Sequence, residues 1–249
     1  MSKILVYLDT ETTGNTPDDV LCQIAYGIAP FETAVMDDAT IFCELYKPNK
    51  KIPPEASAVT HITNKMVADK PSFKESDRYD EVKTLLEHPD TIMVAHNAKF
   101  DVGMLIKEDI TPSNVICTLR LARHLDTENK IPRYNLQYLR YYLEMEIDAQ
   151  AHDAKGDILV LASLFPRLKQ KLTQMMGTNN QEILLEELLS ISARPSLMHM
   201  FTFGKYNTMS VTEVAKLDPG YLEWMLAQKK QNPLDEEDWI YTIEKALGR

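Results

Sequence analysis

The chain is most tightly constrained near its beginning. Residues 3–8, Lys-Ile-Leu-Val-Tyr-Leu, form a short apolar run of the kind that makes a buried strand. Asp9-Thr10-Glu11-Thr12-Thr13-Gly14 follows at its C-terminal end. Side chains alternate faces along a strand, so Asp9 and Glu11 project from the same face. Two adjacent carboxylates repel, and one would ordinarily take up a proton. A divalent cation removes that penalty and turns the pair into a ligand set.

The rest of the chain supplies a frame around this strand. Residues 21–29, 40–46, 91–95 and 115–118 read as further strands, with turn-rich polar segments between the early ones. Helical pieces are expected over 56–69. A helix over 78–87 places Tyr79, Val82, Leu85 and Leu86 on one face. Further helices are expected at 100–107, with Phe100, Met104 and Leu105 inward, at 135–144, and over 152–176. Strands first, then alternation of strand and helix, predict an α/β fold with a mixed sheet flanked by helices. Gly177-Thr178-Asn179-Asn180 is the first clear break after the long helix. The expected division is a body of residues 1–176, a linker helix within 177–193, and a small α+β module of residues 194–249. In that module a hairpin over 198–211 around Gly204 precedes helices over 219–230 and 234–247.

Composition narrows the function. The 249 residues carry 27 Lys+Arg against 37 Asp+Glu, a net charge of −10. That balance excludes a protein that coats nucleic acid with a broadly basic surface. It leaves room for an enzyme that acts on nucleic acid locally. An acid arrives at Asp9, too soon for a secretory leader. No apolar run reaches the roughly 18–20 residues of a membrane span. Cys22, Cys43 and Cys117 form no CxxC pair and are expected as buried thiols in a reducing cytoplasm. No GxGxxG or GxxxxGK[ST] supports a dinucleotide or P-loop site.

Three further residues carry chemistry. Asp101 stands at a helix start just after the strand ending in His96-Asn97; alone, it would serve as a helix-terminus carboxylate. His152 and Asp157 lie five apart near the start of the long helix. Five residues turn about 500°, so the two do not share a stripe. With Asp157 facing the sheet, His152 falls on the turn at the helix entry, which suits a mobile base. Asp9, Glu11, Asp101 and Asp157 together offer four negative charges, the complement of two Mg²⁺ or Mn²⁺. Two such ions about 3.5–4 Å apart stabilise the attacking and leaving oxygens of an in-line phosphoryl displacement. Oxygen ligands without a cysteine set favour Mg or Mn over Zn.

Leu-Asp-Thr-Glu-Thr-Thr-Gly (8–14), Ala-His-Asn-Ala-Lys-Phe-Asp (95–101) and His-Asp-Ala-Lys-Gly-Asp (152–157) resemble the three motifs of the DEDD superfamily of exonucleases. The final His-x4-Asp marks the DnaQ-like subgroup with a catalytic histidine. The segments 59–71, 116–123 and 194–224 resemble the exodeoxyribonuclease X branch, including its C-terminal module. In that branch a glycine often follows Phe-Gly-Lys-Tyr two residues on; here Asn207-Thr208 stands there. The resemblance implies a ribonuclease-H-like fold and 3′→5′ release of nucleoside 5′-monophosphates from DNA, in repair. It implies direct metal ligation by Asp9, Glu11 and Asp157, a partly water-mediated role for Asp101, and His152 as general base. It places Thr10, Thr12 and Thr13 along the terminal nucleotide, with His61 and Asn97 near the 3′ end.

Other readings stay open. An RNA exonuclease would use the same acids, and a polymerase-tethered proofreading or binding module would keep the same fold. Arg120, Arg123, Lys130, Arg133 and Arg140, with Tyr134 and Tyr138 interleaved, form either a strip that tracks a nucleic-acid backbone or a solvated helical face. Phe201, Phe203, Tyr206, Tyr221 and Trp224 are expected as the small module's core. The expected partners are a single-stranded or frayed DNA 3′ end and a repair or replication protein at the C-terminal module, with no membrane.

Overall fold

The computed structural model describes residues 3–147, 154–233 and 236–249. Five strands form one sheet: β1 (Ile4–Thr12), β2 (Leu21–Pro30), β3 (Phe42–Leu45), β4 (Thr91–Ala95) and β5 (Val115–Cys117). The order across the sheet is β3-β2-β1-β4-β5. β2 pairs antiparallel with both β1 and β3, whereas β4 pairs parallel with both β1 and β5. The sheet is therefore mixed, with β1 at its centre and Leu5 to Leu8 fully buried.

Helices cover both faces of the sheet. α1 (Pro54–Thr60), α2 (Tyr79–Glu87) and α3 (Lys99–Lys107) precede α4 (Thr118–Leu125), α5 (Leu136–Tyr142), α6 (Ala154–Met176) and α7 (Gln181–Ala193). Val6 and Leu8 of β1 share a core with Val82 and Leu86 of α2 and Leu105 of α3. Tyr7, on the opposite face, meets Phe165 of α6 edge to face, with ring centroids 6.1 Å apart. The same alternation puts Asp9 and Glu11, further along β1, on the Tyr7 face.

The elements match the expected pattern closely, with five differences, the first being an unforeseen helix over Val211–Leu217. Phe100 is only half-buried. α4 is absent from the sequence reading. It starts at Thr118 with no turn after a three-residue strand, so neither element is long enough to announce its own period. The expected 198–211 hairpin reduces to a single antiparallel bridge, Met200 to Ser210, and no longer strand pairing exists there among the described residues. Its tight turn is closed by Thr208 N–H donating to the Phe201 carbonyl, with Thr208 in the left-handed region at φ 73°. Finally, Cys43 is half-buried while Cys22 and Cys117 are buried; all three are free thiols. Residues 152 and 153 and residues 234 and 235, at the starts of two expected helices, lie outside the described residues.

The chain forms two compact units. The first takes residues through Ala122 together with Arg133–Ser192; the second takes Arg123–Pro132 and Ala193–Arg249. The second unit holds α8 (Val211–Leu217), α9 (Pro219–Lys229) and α10 (Glu237–Ala246). Ser210 and Glu213 form a reciprocal capping box at α8, and Asp218 caps α9. Its core is aromatic: Phe201 stacks on Trp239 at 5.2 Å, with Tyr206 and Leu222 buried beside them. Of the five aromatics expected there, Phe201 and Tyr206 are buried and Tyr221 is partly so. Phe203 and Trp224 are exposed. Among the described residues no helix is long and apolar enough to cross a membrane.

Candidate active site

The site grows from the end of β1. β2 accompanies β1 through to Thr12, but β4 pairs only with Ile4 to Tyr7. The last residues of β1 therefore run past the end of β4, where backbone groups need other partners. On the odd face, shared with Tyr7, Asp9 and Glu11 meet Asp157 from the first turn of α6. One carboxylate oxygen from each lies within 4.8 Å of the others; Asp9 and Glu11 are half-buried and Asp157 is buried. Gln137 of α5 donates to Asp157 Oδ1 at 2.5 Å and fixes that rotamer.

Asp101 reaches the edge of β1 that β4 leaves open. It sits in the first turn of α3, buried, and its Oδ1 accepts from the Thr10 N–H at 3.1 Å and the Thr10 hydroxyl at 2.7 Å. Burial pushes its carboxyl up to about 7, and the two Thr10 donors oppose that rise. Asp101 thus belongs to the same strand end but stands outside the three-carboxylate cluster.

The three threonines turn their hydroxyls inward. Thr10 donates to Asp101, Thr12 to the Gly14 carbonyl at 2.5 Å, and Thr13 to Asp19 Oδ1 at 2.8 Å. His61 and Asn97 are exposed, and both hold left-handed backbones, at φ 59° and 62°. His61 takes this conformation as the C-cap of α1, and asparagine tolerates that region. His152 lies outside the described residues.

Asp19 was not singled out from the sequence, yet it locks the loop that follows Glu11. Its carboxylate accepts from Thr13 Oγ1, from the Thr16 N–H and hydroxyl, and from Lys50 at 2.9 Å. Gly14 is required beside it. Its φ is +154°, and a Cβ there would lie 2.5 Å from Asp19 Oδ2. The Thr16 hydroxyl, then Lys50, hold the Asp19 carboxyl far below the usual carboxylate range. A depressed carboxylate stabilises the fold above its unfolded pKa, near 3.8, and that contribution is lost as pH falls through the folded value. Asp19→Asn should therefore cost about 1.5–3 kcal/mol at pH 7, roughly 4–10 °C in melting temperature. The gap to wild type should close in thermal scans toward pH 2.

The expected basic strip is largely consumed inside the protein, so neither sequence reading of it holds for the whole. Arg120 donates to the Ser192 carbonyl at 2.7 Å, and Arg123 pairs with Asp238 at 2.5 Å. Arg140 is buried and donates to the Ile147 carbonyl and to Gln137. Lys130 pairs with Glu128 on the surface, and Arg133 is exposed. His96 follows β4 within the 95–101 motif. Its two ring nitrogens lie 2.9 Å from Thr118 Oγ1 and 2.7 Å from the Tyr134 carbonyl.

The carboxylate cluster fits a hard divalent cation. Two oxygens each about 2.1 Å from one ion lie at most about 4.2 Å apart. Sub-ångström side-chain adjustments close the observed 4.8 Å limit to that value. Buried and half-buried carboxylates this close also need a positive counter-charge.

A family model described as exonuclease matches residues 6–165, well over half of the chain. The chain belongs to this exonuclease family and is an exonuclease. A second model, exodeoxyribonuclease X-like C-terminal, matches residues 201–230. Exodeoxyribonuclease 10 of Escherichia coli strain K12 is 32% identical over 233 residues, spanning 89% of this chain and 90% of the relative. DNA polymerase III subunit epsilon of Treponema pallidum is 32% identical over 166 residues, 63% of this chain and 72% of that one. A structure of exonuclease X in complex with 5′-overhanging duplex DNA superposes with a TM-score of 0.57 at 27% identity, covering 76% of this chain and 99% of the other. A zinc-bound E. coli ExoI–ssDNA complex, at 20% identity and a TM-score of 0.59, shares the fold over 76% of this chain and 43% of that one. The resemblances drawn from the three motifs and from residues 194–224 therefore both hold.

Proposed function

We propose that the chain is a metal-dependent 3′→5′ exodeoxyribonuclease that releases nucleoside 5′-monophosphates from DNA 3′ ends and works in repair. The observation that carries this reading is the cluster of Asp9, Glu11 and Asp157 at the end of the central strand of an exonuclease-family chain. These three carboxylates would hold Mg²⁺ or Mn²⁺, and Asp9 together with Asp101 would help to hold a second ion. When bound, the ions would neutralise the phosphodiester and stabilise both oxygens of an in-line displacement. The protein's own contribution is positioning. Thr10 holds Asp101, Gln137 holds Asp157, and the Asp19-locked loop keeps residues 12–14 at the terminal nucleotide through backbone groups. His61 and Asn97 contact the last nucleotides. His152 takes the proton as water attacks phosphorus and the bond to the 3′ oxygen breaks. The nuclease body is residues 1–176, followed by a linker helix within 177–193. The module of residues 194–249 contacts a repair or replication protein. Free, buried Cys22 and Cys117 fit work in the cytoplasm.

The deciding experiment digests 5′-labelled DNA and RNA of one sequence side by side, with and without EDTA. EDTA-sensitive shortening of the DNA, much faster than of the RNA, is the expected result. Preferential shortening of the RNA would make the protein an exoribonuclease. His152→Ala should slow release by about 10²–10⁴-fold, with Mn²⁺ binding by calorimetry largely retained. Loss of metal binding in that variant would make His152 a ligand instead.

A further inference from the structure

The last turn before the active-site helix carries an unusual surface. α5 is seven residues long and includes Tyr138, Tyr141 and Tyr142, spaced i, i+3 and i+4 along one side. Tyr138 and Tyr142 stack with ring centroids 5.8 Å apart and planes 21° off parallel. Tyr141 is 72% exposed and Tyr142 42%. With Arg133, Asn135 and Gln137, these three rings line an open groove of about 430 Å³. The rings are held in place from below. Asn135 caps the helix by accepting from the Tyr138 N–H at 2.8 Å. The guanidinium of buried Arg140 lies 5.2 Å from the Tyr141 ring centroid.

Gln137 ties the groove to the carboxylate cluster, since it lines the groove and also donates to Asp157. Tyr141 stands four residues beyond Gln137, about 6 Å along the helix axis. That is the rise of roughly two stacked nucleotides at about 3.4 Å each. Exposed aromatic faces beside a cation suit unpaired bases, since every base has a π-face and stacking tolerates any sequence. Arg133 is an exposed cation on the same groove, placed to meet a phosphate.

Building on the exonuclease reading above, we propose that Tyr138, Tyr141 and Tyr142 with Arg133 form an upstream subsite. It would stack the unpaired bases of the second and third nucleotides from the 3′ end. The subsite would give the enzyme a preference for single-stranded over fully paired ends, and would supply binding that the internally spent arginines do not.

Two substrates separate this proposal from the function it rests on. A tetranucleotide fills the groove, whereas the p-nitrophenyl ester of thymidine 5′-monophosphate carries no upstream base. Tyr141→Ala should lower kcat/KM on the tetranucleotide roughly tenfold more than on the ester, mostly through KM, and Tyr141→Phe should restore it. A tetranucleotide abasic at its second and third positions from the 3′ end should be a poorer substrate for wild type and should erase the difference between wild type and Tyr141→Ala. Equal losses on both substrates would mean that the helix merely supports the fold, and no loss on the tetranucleotide would mean that the groove is unused; either overturns the proposal. Failure of wild type to hydrolyse either substrate would instead overturn the exonuclease reading.

Discussion

Alanine at Asp9 or Asp157 should abolish nucleotide release while leaving the protein folded. Each change removes one of three carboxylates whose oxygens cluster within 4.8 Å, and with it an arm of the proposed cation site. Metal-derived stabilisation of a phosphoryl transition state is worth several kcal/mol. At about 1.4 kcal/mol per decade, the rate should fall by at least about a thousandfold. Asp9 is half-buried at a strand end and Asp157 is buried at a helix start, both outside the hydrophobic core, so the melting temperature should move by only a few degrees. The check is mononucleotide release in Mg²⁺ or Mn²⁺ alongside a melting curve. Activity at the wild-type rate in either variant would show that the chemistry lies elsewhere.

The second large effect is on stability and geometry together. Phe165→Ala should cost about 3–5 kcal/mol, a fall of roughly 10 °C in melting temperature. Phe165 is fully buried and meets Tyr7 edge to face between α6 and β1. Those two elements also carry Asp157 and the Asp9–Glu11 pair, so their spacing sets the spacing of the carboxylates. A cavity at Phe165 lets α6 settle, and catalysis should fall well beyond what partial unfolding explains, because misplacement by about 1 Å can cost roughly 10²-fold. A melting temperature unchanged by the substitution would mean that this contact does not fix the helix.

These two cases show what the sequence discloses. Asp9, Glu11 and Asp157 are legible because each interrupts an apolar element at its end, where an acid is costly unless it has a purpose. The central strand is legible because its apolar run is continuous. Asp101 was legible as a carboxylate at a helix start, but its bond to Thr10 spans 91 residues and depends on β4 stopping short of the end of β1. Gln137 carries no signal of its own; only the docking of α5 beside α6 makes it the partner of Asp157. The arginine strip misled for the same reason. Arg120, Arg123 and Arg140 look like surface charge until the carbonyls of Ser192 and Ile147 and the Asp238 carboxylate take them up. α4 escaped because an eight-residue helix abutting a three-residue strand blurs both periods.

The discontinuity of the second unit bears on how this protein can be cut or recombined. The chain passes between the units three times, after Ala122, Pro132 and Ser192. A tail joined by a single linker can be exchanged by one crossover, as beads are swapped on a string. Here such an exchange leaves residues 123–132 behind and separates Arg123 from Asp238. The nuclease body and the smaller unit are bound into one heritable block, and a graft that keeps both intact must move the inner stretch along with the tail.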